Sequence, residues 1–358
     1  MQGPAARHWV APGNQMTEIA AAPEQKKSST TDLMKRILVQ PESGSFGLLI
    51  GAIIAFSLMS AAFISVGNIS NLMAFTPELG MIALAMTLLM TAGEFDLSVG
   101  SVFGFTAVVM WTVANETSLG IEVGFFIAMG VGILIGLVNG LFVTRLKIPS
   151  FLVTLGMLLV VRGMALYLTS GFPQRTWNAE SPLLEIVVGD FFVPTPFGDL
   201  RVFMSVFWFS LFAVALGYIL MVSKYGNWIQ ASGGNAMAAV ARGVRVARVK
   251  VALFILTAAM AAYAGITSSI RVSTANPNAG FTYELEVIAM VVIGGTVLQG
   301  GKGTIIGTVI GVLLLRIMRN GIVMVGVEAL AYRIFIGGII LGMMALHSYM
   351  RRRQQAMV

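Results

Sequence analysis

The sequence predicts an all-α polytopic membrane protein with about ten transmembrane helices, some of them broken or re-entrant, and both termini cytoplasmic. The first observation is composition: 57% of the 358 residues are hydrophobic and 11% are charged, against about 25% charged in soluble domains, and the mean hydropathy is +0.85. The second is that the apolar residues come in blocks. Runs such as 46–66 and 251–265 are apolar on every face, and a bilayer core about 30 Å thick needs roughly 18–25 such residues per helix. The third is the placement of charge, which sorts the loops into two sides. An ordinary soluble enzyme is excluded.

Residues 1–45 read as a polar cytoplasmic leader, with Pro4, Pro12, Pro23 and Pro41 and no early apolar run after a basic start, so no cleaved signal peptide is expected. Within it, the Ser29/Asp32 pair followed by Leu33, Met34, Ile37 and Leu38 has the capping and spacing of a short interfacial helix. A transmembrane domain follows over 46–349. Its spans are expected at roughly 46–66, 75–93, 100–114, 121–144, 149–170, 202–222, 250–270, 286–300, 304–324 and 329–349. The third and eighth are short and glycine-interrupted, so a broken or partly re-entrant helix is expected at either. A basic tail, 350–358, ends the chain.

Positive residues collect in short cytoplasmic loops. With the leader inside, most of the 23 basic residues fall on that side: Lys26, Lys27, Lys35 and Arg36, then Arg145 and Lys147, the group Lys224 to Lys250, Lys302, and Arg351 to Arg353. The outer loops receive Arg175, Arg201 and Arg271, and most acids, Glu78, Glu284 and Glu286 among them. The net charge of +7 therefore reports orientation and calls for no nucleic-acid partner.

Two loops are long. The outer loop, 171–201, carries Pro173, Pro182, Pro194, Pro196 and Trp177 and is expected to be ordered. The inner loop, 224–250, has an Ala-rich centre punctuated by Gly233, Gly234 and Gly243, and a short helix parallel to the membrane is expected there. Aligning Ile82 with Ile288 sets G-E-F-D-L-S-V-G-S (93–101) opposite L-Q-G-G-K-G-T (298–304), a faint internal repeat of the kind found in transporters with interrupted helices. Two small-residue stripes, Gly132/Gly136/Gly140 and Gly303/Gly307/Gly311, let helix backbones approach closely. Packing within one subunit and packing between subunits both use such stripes.

No catalytic constellation is present. Cysteine is absent and the two histidines, His8 and His347, lie near the ends, which leaves no disulfide, thiolate or convincing metal site, and no cofactor is expected. G-G-K-G-T at 300–304 fails as a phosphate loop because Gly303 separates Lys302 from Thr304 and an apolar span precedes it. Uphill transport would draw on a partner or an ion gradient. Glu94 and Asp96, at the inner end of the second span, are functional candidates because ionisable groups at membrane depth are costly unless paired; capping a helix break is their structural alternative. Arg162, mid-way along the fifth span, is expected to pair with an acid inside the bundle.

Four segments together resemble the permease subunits of ATP-binding-cassette importers of the ribose, xylose and galactose type: residues 93–101, N-G-L-F-V-T-R-L-K-I-P-S-F-L-V-T-L-G (139–156) with Arg162-Gly163, G-G-N-A-M-A-A-V-A-R-G-V (233–244), and E-L-E-V-I-A-M-V-V-I-G-G-T-V-L-Q-G-G-K-G-T-I-I-G-T (284–308). The resemblance implies a bacterial inner-membrane subunit that is not itself an enzyme. Its implied partners are an ABC ATPase subunit, a periplasmic substrate-binding protein and a second permease, either an identical copy or a paralogue. It implies ATPase coupling through Gly233, Gly234, Asn235, Ala239, Arg242 and Gly243. Glu94, Asp96, Ser98, Gly100, Gly300, Gly301 and Lys302 form the gating or structural motif. Polar candidates for the sugar pathway are Asn139, Ser150, Thr154, Asn276 and Gln299, and the segment 276–286 is expected to face the binding protein through acids such as Glu284 and Glu286. The alternative class is an ion-coupled secondary transporter. A membrane-embedded enzyme ranks below both for want of catalytic groups.

Overall fold

The computed structural model describes residues 41–175 and 181–328, with isolated positions between 331 and 342. The leader's interfacial helix, Trp177, most of the tenth span and the basic tail lie outside the described residues. The helices are α1 (Pro41–Met59), α2 (Val66–Thr91), α3 (Val99–Glu116), α4 (Gly120–Arg145), α5 (Ser150–Thr169), α6 (Pro182–Val188), α7 (Met204–Met221), α8 (Lys224–Gly234), α9 (Ala236–Ala241), α10 (Val246–Arg271), α11 (Tyr283–Ile293) and α12 (Ile305–Met324), with a 3-10 turn at Ala61–Ile64. Four short strands, β1 (Gln174–Arg175), β2 (Asp190–Thr195), β3 (Gly198–Phe203) and β4 (Thr274–Ala275), make two antiparallel pairs, β1 with β4 and β2 with β3. Among the described residues, six helices are long and apolar enough to cross a membrane: α2, α4, α5, α7, α10 and α12.

Helix α2 is the centre of the bundle. From Leu79 to Ala92 every residue is buried, which explains a stretch apolar on all faces: it meets protein all round, where the outer helices meet lipid. It starts nine residues before the expected span, because Ser65 caps it by accepting from the Asn68 N–H at 3.3 Å. The polar Asn68 then exchanges two carboxamide hydrogen bonds, 2.7 and 2.9 Å, with Asn320 of α12. Both glycine stripes work inside this chain. A Cβ on Gly132 would lie 2.5 Å from Ala262 Cβ, one on Gly136 2.5 Å from the Phe254 carbonyl and one on Gly140 2.9 Å from Val251 Cα, so α4 lies backbone-close on α10. Gly307 and Gly311 bring α12 equally close to the Gly294 and Met290 carbonyls of the α11 segment.

The two short, glycine-interrupted spans differ. The third is a continuous 18-residue helix, because its glycines are contact points and none breaks the ladder. The eighth is the broken helix expected at one of them: the 11 residues of α11, followed by irregular backbone to Thr304. The inner loop holds two helices broken at Asn235, where one was expected. Glu78 and Arg271, which the charge count places among the outer charges, are paired within the bundle: Arg271 donates to Glu78 Oε1 from Nε at 3.0 Å and from a terminal nitrogen at 2.7 Å, with the guanidinium 4.0 Å from the Phe75 ring centre. Each charge makes the other's burial tolerable.

Over 181–203 the long loop forms α6 and the β2–β3 hairpin. The β2–β3 hairpin turns at Pro196–Phe197 and is tied at its base by Arg201, which donates to both Asp190 carboxylate oxygens at 2.7 and 2.8 Å. Those hydrogen bonds hold the Asp190 carboxyl below the usual aspartate range.

Candidate functional site

The site is a meeting of three glycine-bearing segments. The first follows α2. Gly93 takes φ +82° and turns the chain; Asp96, fully buried, then accepts from Ser98 N–H at 2.8 Å and Ser98 Oγ at 2.6 Å, which organises the entry to α3. Asn139 of α4 donates to Ser98 Oγ at 3.0 Å and to Asp96 at 3.4 Å. Glu94 is ion-paired with Lys250 in the first turn and a half of α10. An acid and a basic residue that each face desolvation are therefore used to pin the α2–α3 loop to the helix that leaves the inner loop.

The second segment joins α11 to α12. Gly295, Gly300 and Gly301 all have positive φ, a conformation side chains disfavour, and Thr304 caps α12 by accepting from the Gly307 N–H at 3.3 Å. The Gly301 N–H donates to the Thr91 carbonyl at 2.8 Å, closing one loop on the other, and the two parent helices are joined again by the Thr87 and Thr308 hydroxyls at 2.6 Å.

The third segment is the end of α8. Ser223 starts that helix by accepting from Tyr225 and Gly226, and Gly233 enters the gap between the two loops. A Cβ on Gly233 would fall on the Thr91 carbonyl oxygen and 2.7 Å from Gly301 N. One on Gly300 would be 2.8 Å from Gly93 Cα and 3.1 Å from Gly233 Cα, whereas one on Gly234 would meet only Gly301 Cα, at 3.8 Å. Next, Asn235 leaves helical geometry and its side chain accepts from Ala238 N–H at 3.0 Å, capping α9. Helix α9 buries Ala239 and presents Met237 (85% exposed) and Val240 (59%) outward. Arg242, Gly243 at φ +85°, Arg245 and Arg248 follow, all exposed.

Sequence-nominated residues thus divide into groups. Gly233, Gly234, Gly300 and Gly301 are together, with Glu94 alongside through Lys250; Gln299 and Lys302 are exposed on the same loop. Asp96, Ser98 and Asn139 are one buried network. Ser150 and Thr154 are enclosed on α5, the Thr154 hydroxyl donating to the Ser150 carbonyl at 2.8 Å. Gly100 and Asn276 belong elsewhere, around the turn that precedes α11. There a Cβ on Gly104 would lie 2.6 Å from the Ala279 carbonyl, Gly100 is in contact with Gly280, and Arg162 donates to the carbonyls of Pro277 at 2.9 Å and Ala279 at 2.7 Å. Arg162 was expected to find an acid, and Glu284 is close enough to interact with it electrostatically; its hydrogen bonds go to backbone, because a non-helical turn exposes carbonyls that a helix would have used. Glu284 and Glu286, expected to face outward, are directed inward, Glu284 towards Gly100 and Glu286 to within 3.8 Å of Arg319. Thr91 and Gly303 were not nominated, although a Cβ on Gly303 would collide with the Thr91 hydroxyl. Nothing in a single sequence marks a threonine as the floor of a glycine contact.

Residues 68–344 match the family described as branched-chain amino acid transport system / permease component. The chain is 35% identical over 292 residues to the ribose import permease protein RbsC of Escherichia coli (strain K12), covering 80% of this chain and 88% of that one. It is 33% identical over 315 residues, 85% and 84% of the two chains, to the xylose/arabinose import permease protein XylH of Sulfolobus acidocaldarius. Similarity to the L-arabinose ABC transporter permease protein AraH of Azospirillum brasilense is 30% identity over 343 residues, 95% of each chain. No solved structure matches.

Proposed function

This chain belongs to the branched-chain amino acid transport system / permease component family, and on that premise we propose that it is the membrane-spanning permease subunit of an ABC importer for a monosaccharide. Sugar is preferred over amino acid because the relatives at 30–35% identity are ribose, xylose/arabinose and arabinose import permeases. The subunit carries no ATPase of its own. ATP hydrolysis belongs to a cytosolic partner, a periplasmic binding protein delivers the sugar, and a second permease, identical or a paralogue, completes the pathway. Ten spans with both termini cytoplasmic fit this arrangement, with α11 as a half-helix between irregular segments.

The observation that carries the coupling role is the seating of Gly233 between the α2–α3 and α11–α12 loops. In this reading, α9 with Met237 and Val240 enters a groove of the ATPase, and Arg242, Arg245 and Arg248 meet its acidic rim or acidic lipid. When the ATPases close, α8 and α9 move as a body. Backbone contact leaves no flexible side chain to absorb that movement, so both interrupted helix pairs shift with it. ATP and sugar then change the population of inward- and outward-open states through their different affinities for the two.

The rival, an ion-coupled secondary transporter, needs ionisable groups free to load and release protons or cations. Glu94 is occupied by Lys250, and Asp96 by Ser98 and Asn139. The deciding experiment is purification in mild detergent followed by intact-complex mass, with sugar uptake measured in vesicles. Co-purification with an ATPase and uptake that stops with a non-hydrolysable ATP analogue are expected. Uptake that persists without ATP and collapses with a protonophore refutes the importer.

A further inference from the structure

The connection between β4 and α11 is irregular backbone, and its depth can be read from the arginine that holds it. Arg162 lies about 10 Å from one end of α5 and about 18 Å from the other, at 1.5 Å per residue, so in either orientation it is inside a hydrocarbon layer about 30 Å thick. Its two partners, the carbonyls of Pro277 and Ala279, share that depth to within the reach of one side chain. Most of the turn's backbone is satisfied locally: Ala279 N–H donates to the Asn276 carbonyl at 2.9 Å, Phe281 N–H to Asn278 at 3.2 Å, and Tyr283 N–H to Gly280 at 3.1 Å. Residues Ser273 and Thr282 bracket it with positive φ, 50° and 69°, so the turn is held in one shape.

Its side chains are treated differently. Asn276 and Asn278 are both exposed. The Asn276 Oδ1 accepts from the Asn278 N–H at 2.9 Å, and the Asn278 carboxamide has no hydrogen-bond partner among the described residues. Facing lipid, an unpaired amide costs several kcal/mol, and non-helical backbone at membrane depth persists only where protein or a water-filled cavity covers it. We propose that the Asn276–Thr282 turn, anchored by Arg162, faces the aqueous sugar route, with the Asn276 and Asn278 carboxamides as a hydrogen-bonding subsite for the hydroxyl groups of a neutral sugar. A carboxamide both donates and accepts, as a sugar hydroxyl does. Asn278 and Arg162 thereby join the route as a contacting and a positioning residue. The assignment rests on the permease reading.

Because the chain has no cysteine, Asn278→Cys and Asn276→Cys each introduce a sole thiol, and Leu159→Cys, on the apolar exposed face of α5, supplies a lipid-facing reference. The probe is a membrane-impermeant methanethiosulfonate sulfonate, which needs the hydrated thiolate, applied to membranes holding the full chain with its partner subunits. Labelling of Asn278→Cys faster than the reference by about tenfold or more, and slowed by D-ribose, D-xylose or L-arabinose with a loaded binding protein, is expected. Labelling below that margin at both asparagine positions overturns the subsite, as does labelling that none of the three sugars slows. The unsubstituted chain is assayed for ATP-dependent uptake in the same membranes. Failure of the permease reading appears there as ATP-independent uptake, and failure of the subsite as slow or unprotected labelling in membranes that take up sugar normally.

Discussion

Replacing Gly233 by alanine places a methyl group on the Thr91 carbonyl oxygen and 2.7 Å from Gly301 N, where ordinary contacts begin at 3.4 Å. Neither neighbour is a flexible side chain, so α8 must withdraw by about 1 Å or the loops must part. Overpacking of this kind costs about 1–3 kcal/mol, and parting the loops also strains the 2.8 Å bond from Gly301 N–H to Thr91, about 0.5–1.5 kcal/mol more. The sum, about 2–4 kcal/mol, corresponds to roughly a thirty- to several-hundred-fold change in any equilibrium that needs the closed junction. The informative comparison is Gly234→Ala, one residue on, where the new methyl meets only Gly301 Cα at 3.8 Å. In proteoliposomes with the ATPase and binding protein, Gly233→Ala should retain ATPase binding through α9 yet hydrolyse many more ATP per sugar moved, while Gly234→Ala stays close to the unsubstituted ratio. Equal ratios for both variants would refute the reasoning, because side-chain volume alone is the same in the two.

Other outcomes follow from named contacts. Asn235→Ala removes the α9 cap and should weaken coupling by about 1 kcal/mol, with Asn235→Asp restoring it, read from ATPase stimulation by the loaded binding protein. Lys250→Met leaves the partly buried Glu94 uncompensated at a cost of about 3–5 kcal/mol, and the double change with Glu94→Gln should recover most of it in thermal unfolding. Arg162→Met deletes two charge-assisted hydrogen bonds to the turn, worth about 1.5–3 kcal/mol each at most, and should raise hydrogen exchange over 276–282. At the hairpin, a depressed Asp190 pKa means that the Arg201 contact stabilises fully above the ordinary aspartate value near 3.8 and is lost as pH falls through the lower folded value. With Arg201 about half exposed the effect stays below about 1 kcal/mol, so hairpin exchange should rise only in that acid window, and Arg201→Met should abolish the pH dependence.

Most of the spans were legible because a membrane helix needs a long apolar run and little else. The errors came where protein, not lipid, surrounds the chain. Residues 67–74 contain Asn68 and Ser70 and read as a loop, yet they belong to the start of α2, where the Asn68 carboxamide finds Asn320 of α12, 252 positions away. Glu78 and Arg271 were counted as separate outer charges because a charge tally takes each alone, whereas together they make one buried, bonded pair. The three glycine motifs were visible as separate segments. Their meeting with Gly233 was not, because a contact defined by missing side chains leaves no complementary residue to read.

The two glycine contacts together bear on how movement crosses the bundle. Helix α11 is only about 16 Å long, and both of its ends are committed: the turn before it lies on Gly100 and Gly104 of α3, and the loop after it lies on Gly93 and Gly233. Helix α3 likewise begins at the Asp96–Ser98 turn beside the inner contact and carries Gly100 and Gly104 into the other. A displacement of α8 delivered at Gly233 therefore reaches the Asn276–Thr282 turn through one short helix and one close backbone contact, with no chain of side-chain rotamers in between. Rigid elements with two seats at each end are what a two-state transport cycle requires. On this argument Gly104→Ala, whose methyl would lie 2.6 Å from the Ala279 carbonyl, should disturb coupling although it is remote from the ATPase. A Gly104→Ala importer with an unchanged ATP-to-sugar ratio would show that the two contacts act independently.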